Sequence, residues 1–277
     1  MKRIFIAIFI AICFSSCQEE VVLDLNTLEP IPVIEAIWTN VPNFNQVTIT
    51  TSREYYDDSP NEVIEDAQVS VRNLQTGRSA NFIYNEQLKK YLPSNNQIGQ
   101  IGQEYELSVI IKDKAYVSKG VLLAPPILDS ITYEFKDQRV FRDEGYYITL
   151  FGDIPFDKDN YYRLRVVKND TLLNRRSDYL LFDDTFGTQI LNRGFELGGF
   201  TFAAGDRVRL ELFRLNKNAY DYLSQLVSLL FNDGGLFSPP PQNPVSNIFP
   251  LEHDGNVLGY FMVSPYIGAS VLIEEED

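Results

Sequence analysis

Acid–base or nucleophilic chemistry needs a few side chains within reach of one another, and this sequence offers few. Its one histidine, His253, stands in Glu252-His253-Asp254-Gly255. A Ser-His-Asp arrangement would need that ring as its base, held by a carboxylate. The turn-like polar setting reads instead as an exposed loop. No His-Glu-x-x-His pattern or histidine cluster exists for a transition metal. Acidic pairs occur at Asp57-Asp58, Asp157/Asp159 and Asp183-Asp184, and hard oxygen ligands suit calcium. Asp157-Lys158-Asp159-Asn160 is the best spaced, but it lacks the glycine and distal glutamate of an EF-hand loop. A turn before a strand accounts for it without metal. Paired carboxylates also hydrolyse glycosides. With 38 Asp and Glu in the chain almost any pair can be named, so that signal is unspecific. Gly194, Gly198, Gly199 and Gly205 lack the Gly-Lys-Ser/Thr of a phosphate loop and read as a bulge or hairpin. Tyr55-Tyr56, Tyr146-Tyr147 and Tyr161-Tyr162 place neighbouring rings on opposite faces of a strand. One ring of each pair is then exposed or in an interface, unless both faces are covered. Tyr55, Tyr56, Tyr146 and Tyr147 are the candidate binding aromatics. No nucleophile–base set emerges, and the expectation is a non-enzymatic protein.

The most specific chemistry lies at the start. Met1-Lys2-Arg3 is basic, Ile4 to Phe14 is apolar, and Ser15-Ser16-Cys17 follows. A basic, apolar and small-residue sequence of this kind is a secretory signal, and its apolar run falls short of the ~20 residues of a membrane span. Small residues before Cys17 resemble the lipobox of bacterial lipoproteins, in which the thiol takes a diacylglycerol and becomes the new N-terminus. Phe14 departs from the leucine usual there. The resemblance implies loss of residues 1–16 and a lipid on Cys17. Gln18-Glu19-Glu20 resembles the surface-export signal of Bacteroidota lipoproteins, which implies an outer-membrane, lipid-anchored, surface-exposed location.

Composition narrows the partners. Of 24 Lys and Arg, two leave with the signal, so the mature charge is 22 − 38 = −16. That excludes a nucleic-acid binder, which must neutralise phosphates with Lys and Arg. It also excludes a polybasic contact with anionic lipid, so the lipid on Cys17 must do the anchoring. Cys13 leaves with the signal and Cys17 is lipidated, so no thiol remains for disulfides, zinc or catalysis. With 44% hydrophobic residues, 19 Phe and 16 Tyr, the chain can build its core without staples. Its length suggests two domains.

The elements that would position these residues are mostly strands. Residues 17–28 read as a lipidated tether. From there Val33–Trp38, Gln46–Thr51, Ala67–Arg72, Phe82–Tyr84, Gln103–Val109 and Lys114–Leu122 alternate with turns between them, the pattern of an antiparallel sandwich. Ala124-Pro125-Pro126 breaks the run. A second set follows at Ser130–Phe135, Tyr146–Phe151, Tyr161–Val167, Tyr179–Phe182 and Arg207–Phe213. One helix, about 216–231, carries Tyr222, Leu223, Leu226, Val227 and Leu230 as a stripe. Asn216 or Asn218 can cap it, and Asp233-Gly234-Gly235 stops it. It is expected to pack on the second sandwich. A Pro-rich loop at 239–244 and a closing strand at Val257–Val263 complete the chain. The expected fold is therefore mainly β: two Ig-like or transthyretin-like sandwiches over 29–124 and 127–277, the second with the packed helix.

Several short motifs recur in one order: Pro32-Val33-Ile34-Glu35-Ala36, Ala67-Gln68-Val69-Ser70-Val71, Gly102 to Val109, Pro244-Val245-Ser246-Asn247-Ile248 and Gly259-Tyr260-Phe261. Together with the lipobox they resemble an uncharacterised Bacteroidota lipoprotein family, the domain of unknown function numbered 4249. Members are thought of beside TonB-dependent outer-membrane transporters, which implies an accessory or binding subunit of such a membrane complex. A stand-alone glycan- or peptide-binding surface module and a carboxylate-dependent hydrolase are the alternatives. The resemblance brings no catalytic residues and no cofactor.

Overall fold

The computed structural model describes residues 29–53, 57, 59–232, 242–252 and 254–275. The signal, Cys17, Gln18, Glu19, Glu20, Tyr55, Tyr56, Asp58 and His253 lie outside the described residues. The protein is mainly β, with seventeen strands and one α-helix among the described residues. The first seven strands are β1 (Pro32–Thr39), β2 (Gln46–Thr51), β3 (Gln68–Asn73), β4 (Ser79–Asn85), β5 (Lys90–Pro93), β6 (Glu104–Ile111) and β7 (Lys114–Val121). Next come β8 (Ile127–Lys136), β9 (Gly145–Asp153), β10 (Tyr161–Lys168), β11 (Thr171–Leu172), β12 (Leu180–Asp183), β13 (Phe195–Glu196) and β14 (Arg207–Arg214). Helix α1 (Lys217–Leu230), β15 (Phe249–Leu251), β16 (Leu258–Ser264) and β17 (Tyr266–Leu272) follow.

The first seven strands join one nine-stranded sheet, ordered β15-β7-β6-β3-β4-β5-β2-β1-β16. Its two outermost members come from the far end of the chain. The expected division at 124–127 is thus crossed: β16 pairs in parallel with β1, from Val33 with Leu258 to Thr39 with Ser264, and β15 pairs with β7. Strand alternation points Ile34, Ala36, Trp38, Val69, Val71, Tyr105, Leu107, Val109, Phe261 and Val263 into one core. Gly259 (φ 113) lies so close to β1 that a Cβ would strike the Ile34 carbonyl, which is why only glycine serves there.

The sheet curls until β7 approaches β16, and a Cβ on Gly120 would meet Val263. Side chains close this seam. Asn247 accepts from the Phe261 amide (2.8 Å) and donates to the Phe261 carbonyl (3.0 Å), as a neighbouring strand would. Ser118 of β7 donates to the Asn247 carbonyl (2.6 Å). Asn216 makes the same two-way pairing with Val121 of β7, at 2.9 Å each way. Asn216 stands at the helix cap position, but its side chain makes no cap bond and serves the seam instead.

A five-stranded sheet, β11-β10-β14-β17 with β12 also on β10, faces a three-stranded one, β13-β9-β8. Ile148, Leu150, Tyr162, Leu164, Val166, Leu210 and Leu212 fill the space between. Helix α1 packs on the outer face of this second unit, as expected, with the Tyr220 ring 5.0 Å from that of Tyr161 on β10, and it reaches the first sheet as well. Its Ala219, Tyr222 and Leu223 pack with Ile37 of β1, Tyr260 and Met262 of β16 and Phe213 of β14. The reason lies in β16 and the end of β1, which carry apolar residues on both faces. Strands covered on both sides read as continuous apolar runs, and the second cover is the helix.

Candidate functional site

An open cleft of about 970 Å³ lies where the described chain enters β1. Pro30 and Pro32 line its entrance, the segment Asn61–Asp66 forms one wall, and the Ile111–Lys114 turn forms the other. The 61–66 segment has almost no strand pairing and is held by single contacts. The Thr51 amide donates to Glu62 O and the Ile64 amide to Ile49 O, both at 2.9 Å. The Tyr91 hydroxyl donates to Ile64 O (2.8 Å) and accepts from the Ala67 amide (2.9 Å). The Tyr84 hydroxyl donates to Glu65 Oε1 (3.0 Å). Opposite, Lys112 adopts φ 54 at the tip of the β6–β7 hairpin, so the wall is a tight turn.

The cleft floor is apolar, with buried Tyr116 and half-buried Ile64 and Ile111 continuous with the first core. The rim is charged by Lys89, Lys112, Lys114, Glu62, Glu65, Asp66 and Asp113. Burial pushes the phenols of Tyr91 and Tyr116 up, so they stay neutral and offer hydrogen bonds rather than nucleophiles. Such a site can hold an extended chain with apolar side chains below and ion pairs at its edges. Among the described residues no three His, Cys, Asp or Glu are grouped to hold a metal. Nothing in the sequence singled these walls out, since 61–66 has no period and Lys112-Asp113 reads only as a turn.

The residues predicted from sequence fall elsewhere. Tyr146 and Tyr147 are 6% and 2% exposed, so neither is a binding aromatic. Both faces of β9 are covered. Tyr146 meets Phe135 and Tyr133 edge-on, with ring centres 5.2 and 5.8 Å apart. The Tyr147 hydroxyl donates to Asp143 O (2.7 Å) and accepts from Thr201 (3.3 Å). Asp157 and Asp159 are exposed in a turn, and the carbonyls beside them are occupied. Arg214 donates to Lys158 O (2.8 Å), Asp159 O (2.9 Å) and Ala124 O (2.9 Å) and lies 3.6 Å above the Phe156 ring. The Arg214 guanidinium thus holds the backbone of the turn that carries Asp157 and Asp159. Asp183 caps a 3-10 turn through the Thr185 amide (2.9 Å).

Charges are also buried between the two cores. Glu211, 1% exposed, pairs with Arg165 (3.2 Å) and Arg209 (3.1 Å). Loss of water lowers the Arg165 pKa, and Glu211 opposes this. Glu35 keeps an open edge, yet its carboxyl is desolvated enough to be raised above the usual range, against the pull of Arg163 and Lys90. The Arg165–Glu211 pair ties β10 to β14.

Among curated proteins, no relative matches this chain. One solved structure it resembles, the selenomethionine-substituted chicken interferon gamma receptor alpha chain, is 8% identical. The match covers 66% of this chain and 87% of that one, with a TM-score of 0.19. The family model of a domain of unknown function (DUF4249) matches residues 18–266, from the residue after Cys17 into the start of β17. That span takes in the cleft, the side-chain seam, the first core and most of the second, and on it the chain belongs to the DUF4249 family.

Proposed function

We propose that this protein is a lipid-anchored accessory subunit of an outer-membrane complex, such as a TonB-dependent transporter, and that it holds a polypeptide segment of that complex in the cleft beside β1. The observation that carries this reading is the position of the cleft at the chain's entry into the fold. Pro30, at its mouth, is 30 − 17 = 13 residues from Cys17. At ~3.3–3.6 Å per extended residue, a lipid on Cys17 keeps the cleft within about 45 Å of the membrane. A protein segment fits better than a glycan, because the aromatic on the floor, Tyr116, is 3% exposed and offers no ring face for a sugar.

Two measurements test this. Cys17→Ala is expected to abolish acyl labelling and release the protein from membranes. The lipidated wild type, purified in mild detergent, is expected to bring a stoichiometric outer-membrane protein with it. Lys112→Glu with Lys114→Glu should lower that recovery about tenfold, the size of ~1.4 kcal/mol. A wild type that recovers no stable partner, or a charge-reversed protein that recovers it fully, overturns the reading.

A further inference from the structure

The hairpin between β8 and β9 ends in Arg139-Val140-Phe141-Arg142, and it is the most exposed apolar point among the described residues. Val140 is 89% exposed and Phe141 100%. Two hydrogen bonds close the turn, from the Arg139 amide to Arg142 O (2.8 Å) and from the Arg142 amide to Arg139 O (3.2 Å). Tight turns favour Gly, Asn and Asp. Neither Val140 nor Phe141 has a positive φ, so the backbone imposes no unusual residue there. Folding gains nothing from a valine and a phenylalanine that touch only water. Local choices that work against solubility and turn chemistry concentrate where a protein functions.

The base of the hairpin is braced. The Tyr147 hydroxyl holds Asp143 O (2.7 Å), and Arg142 Nη2 holds Asp137 O (3.1 Å) while its guanidinium lies 5.7 Å from the Tyr147 ring centre. A braced tip docks with little ordering cost. Its residue types, an aromatic beside an exposed arginine, are those that dominate interface energies. Asp137, Asp143 and Glu144 are exposed directly behind the tip. Entry into a bilayer would press those carboxylates into the headgroups, whereas a protein pocket can present cations or water to them.

We propose that residues 137–144 form a docking finger: Phe141 and Val140 enter an apolar pocket on a partner protein, and Arg139 meets a carboxylate on its rim. This is a second contact surface, separate from the cleft.

The test is photo-crosslinking in cells, using the full lipidated chain with a photoreactive phenylalanine at position 141 and, as control, at exposed Ile83 on β4. Position 141 is expected to give one discrete protein adduct that maps to an apolar pocket bordered by Asp or Glu. Arg139→Glu should reduce it about tenfold. Phe141→Ser should lower recovery of the same partner at least tenfold with an unchanged unfolding midpoint. An adduct to lipid, to a second copy of this chain, the same adduct from position 83, or none overturns the finger. So does Phe141-dependent flotation with phosphatidylethanolamine–phosphatidylglycerol vesicles. Lys112→Glu with Lys114→Glu separates the two readings. Partner recovery that survives this change but is lost in Phe141→Ser retains the finger and removes the cleft; the reverse removes the finger.

Discussion

Arg214 and Asp206 show how single side chains settle loops that carry no strand pairing. Arg214 gathers two carbonyls of the turn at 156–160 and that of Ala124, a role the acidic spacing of Asp157 and Asp159 concealed, because the guanidinium arrives from more than fifty residues away. Asp206 accepts from the Ala203 amide (2.7 Å) and Asn169 (2.9 Å) and pairs with Lys168 (2.6 Å). Burial pushes its carboxyl up, but those three donors outweigh burial and hold it below the usual range. The unfolded chain therefore binds the proton more tightly, and the stabilisation is full above pH ~4 and lost as pH falls through the folded-state value. Asp206→Asn is expected to destabilise by about 2 kcal/mol at pH 7. Urea denaturation should show the gap to wild type closing below pH 4. A gap that is constant between pH 3 and pH 7 would remove the ionic explanation.

Elements with a clear period were legible. Gln46–Thr51 is observed as expected, Gln103–Val109 became Glu104–Ile111, and the helix read at 216–231 runs from Lys217 to Leu230. Two-residue strands such as β11 and β13 have no period to read. The fate of β16 was also hidden, since alternation tells which residues face inward and not which strand lies alongside. The cleft was illegible for a related reason: its walls come from a turn and from a segment with almost no strand pairing, which Tyr91 holds through the Ile64 carbonyl and the Ala67 amide. The Pro244-Val245-Ser246-Asn247-Ile248 motif, read as a family mark, has a physical use, because Asn247 replaces a strand at the seam. Asn247→Ala strands the buried amide and carbonyl of Phe261, at roughly 1–3 kcal/mol for each group. The expected loss is about 3 kcal/mol in denaturation, with faster hydrogen exchange at the Phe261 amide. Stability within 0.5 kcal/mol of wild type would show that the seam is held by packing alone.

Across the whole molecule, burial sets the alkaline limit of the fold. The phenols of Tyr162, Tyr220 and Tyr222 are each pushed up to about 12, chiefly by burial, and nearby carboxylates add to this. Each lies above its unfolded value near 10, so folding favours the protonated form. That stabilisation is full below pH ~10 and lost as pH rises toward 12. Denaturant midpoints should be flat up to pH 9 and fall steadily between pH 10 and 12, with Tyr222→Phe softening the fall. An unchanged midpoint at pH 11 would contradict it. The parallel pairing of β1 with β16 has its own consequence for how the molecule is made. The Tyr266 amide bonds to Asn40 across 226 residues, so a ribosome delivers β16 long after β1 has left it. Until then the side of β1 that β16 will cover stands open, an unpaired edge to which another chain can add. A chain cut before β16 stays in that state, so the order of synthesis leaves the edge of β1 waiting for a partner more than two hundred residues away.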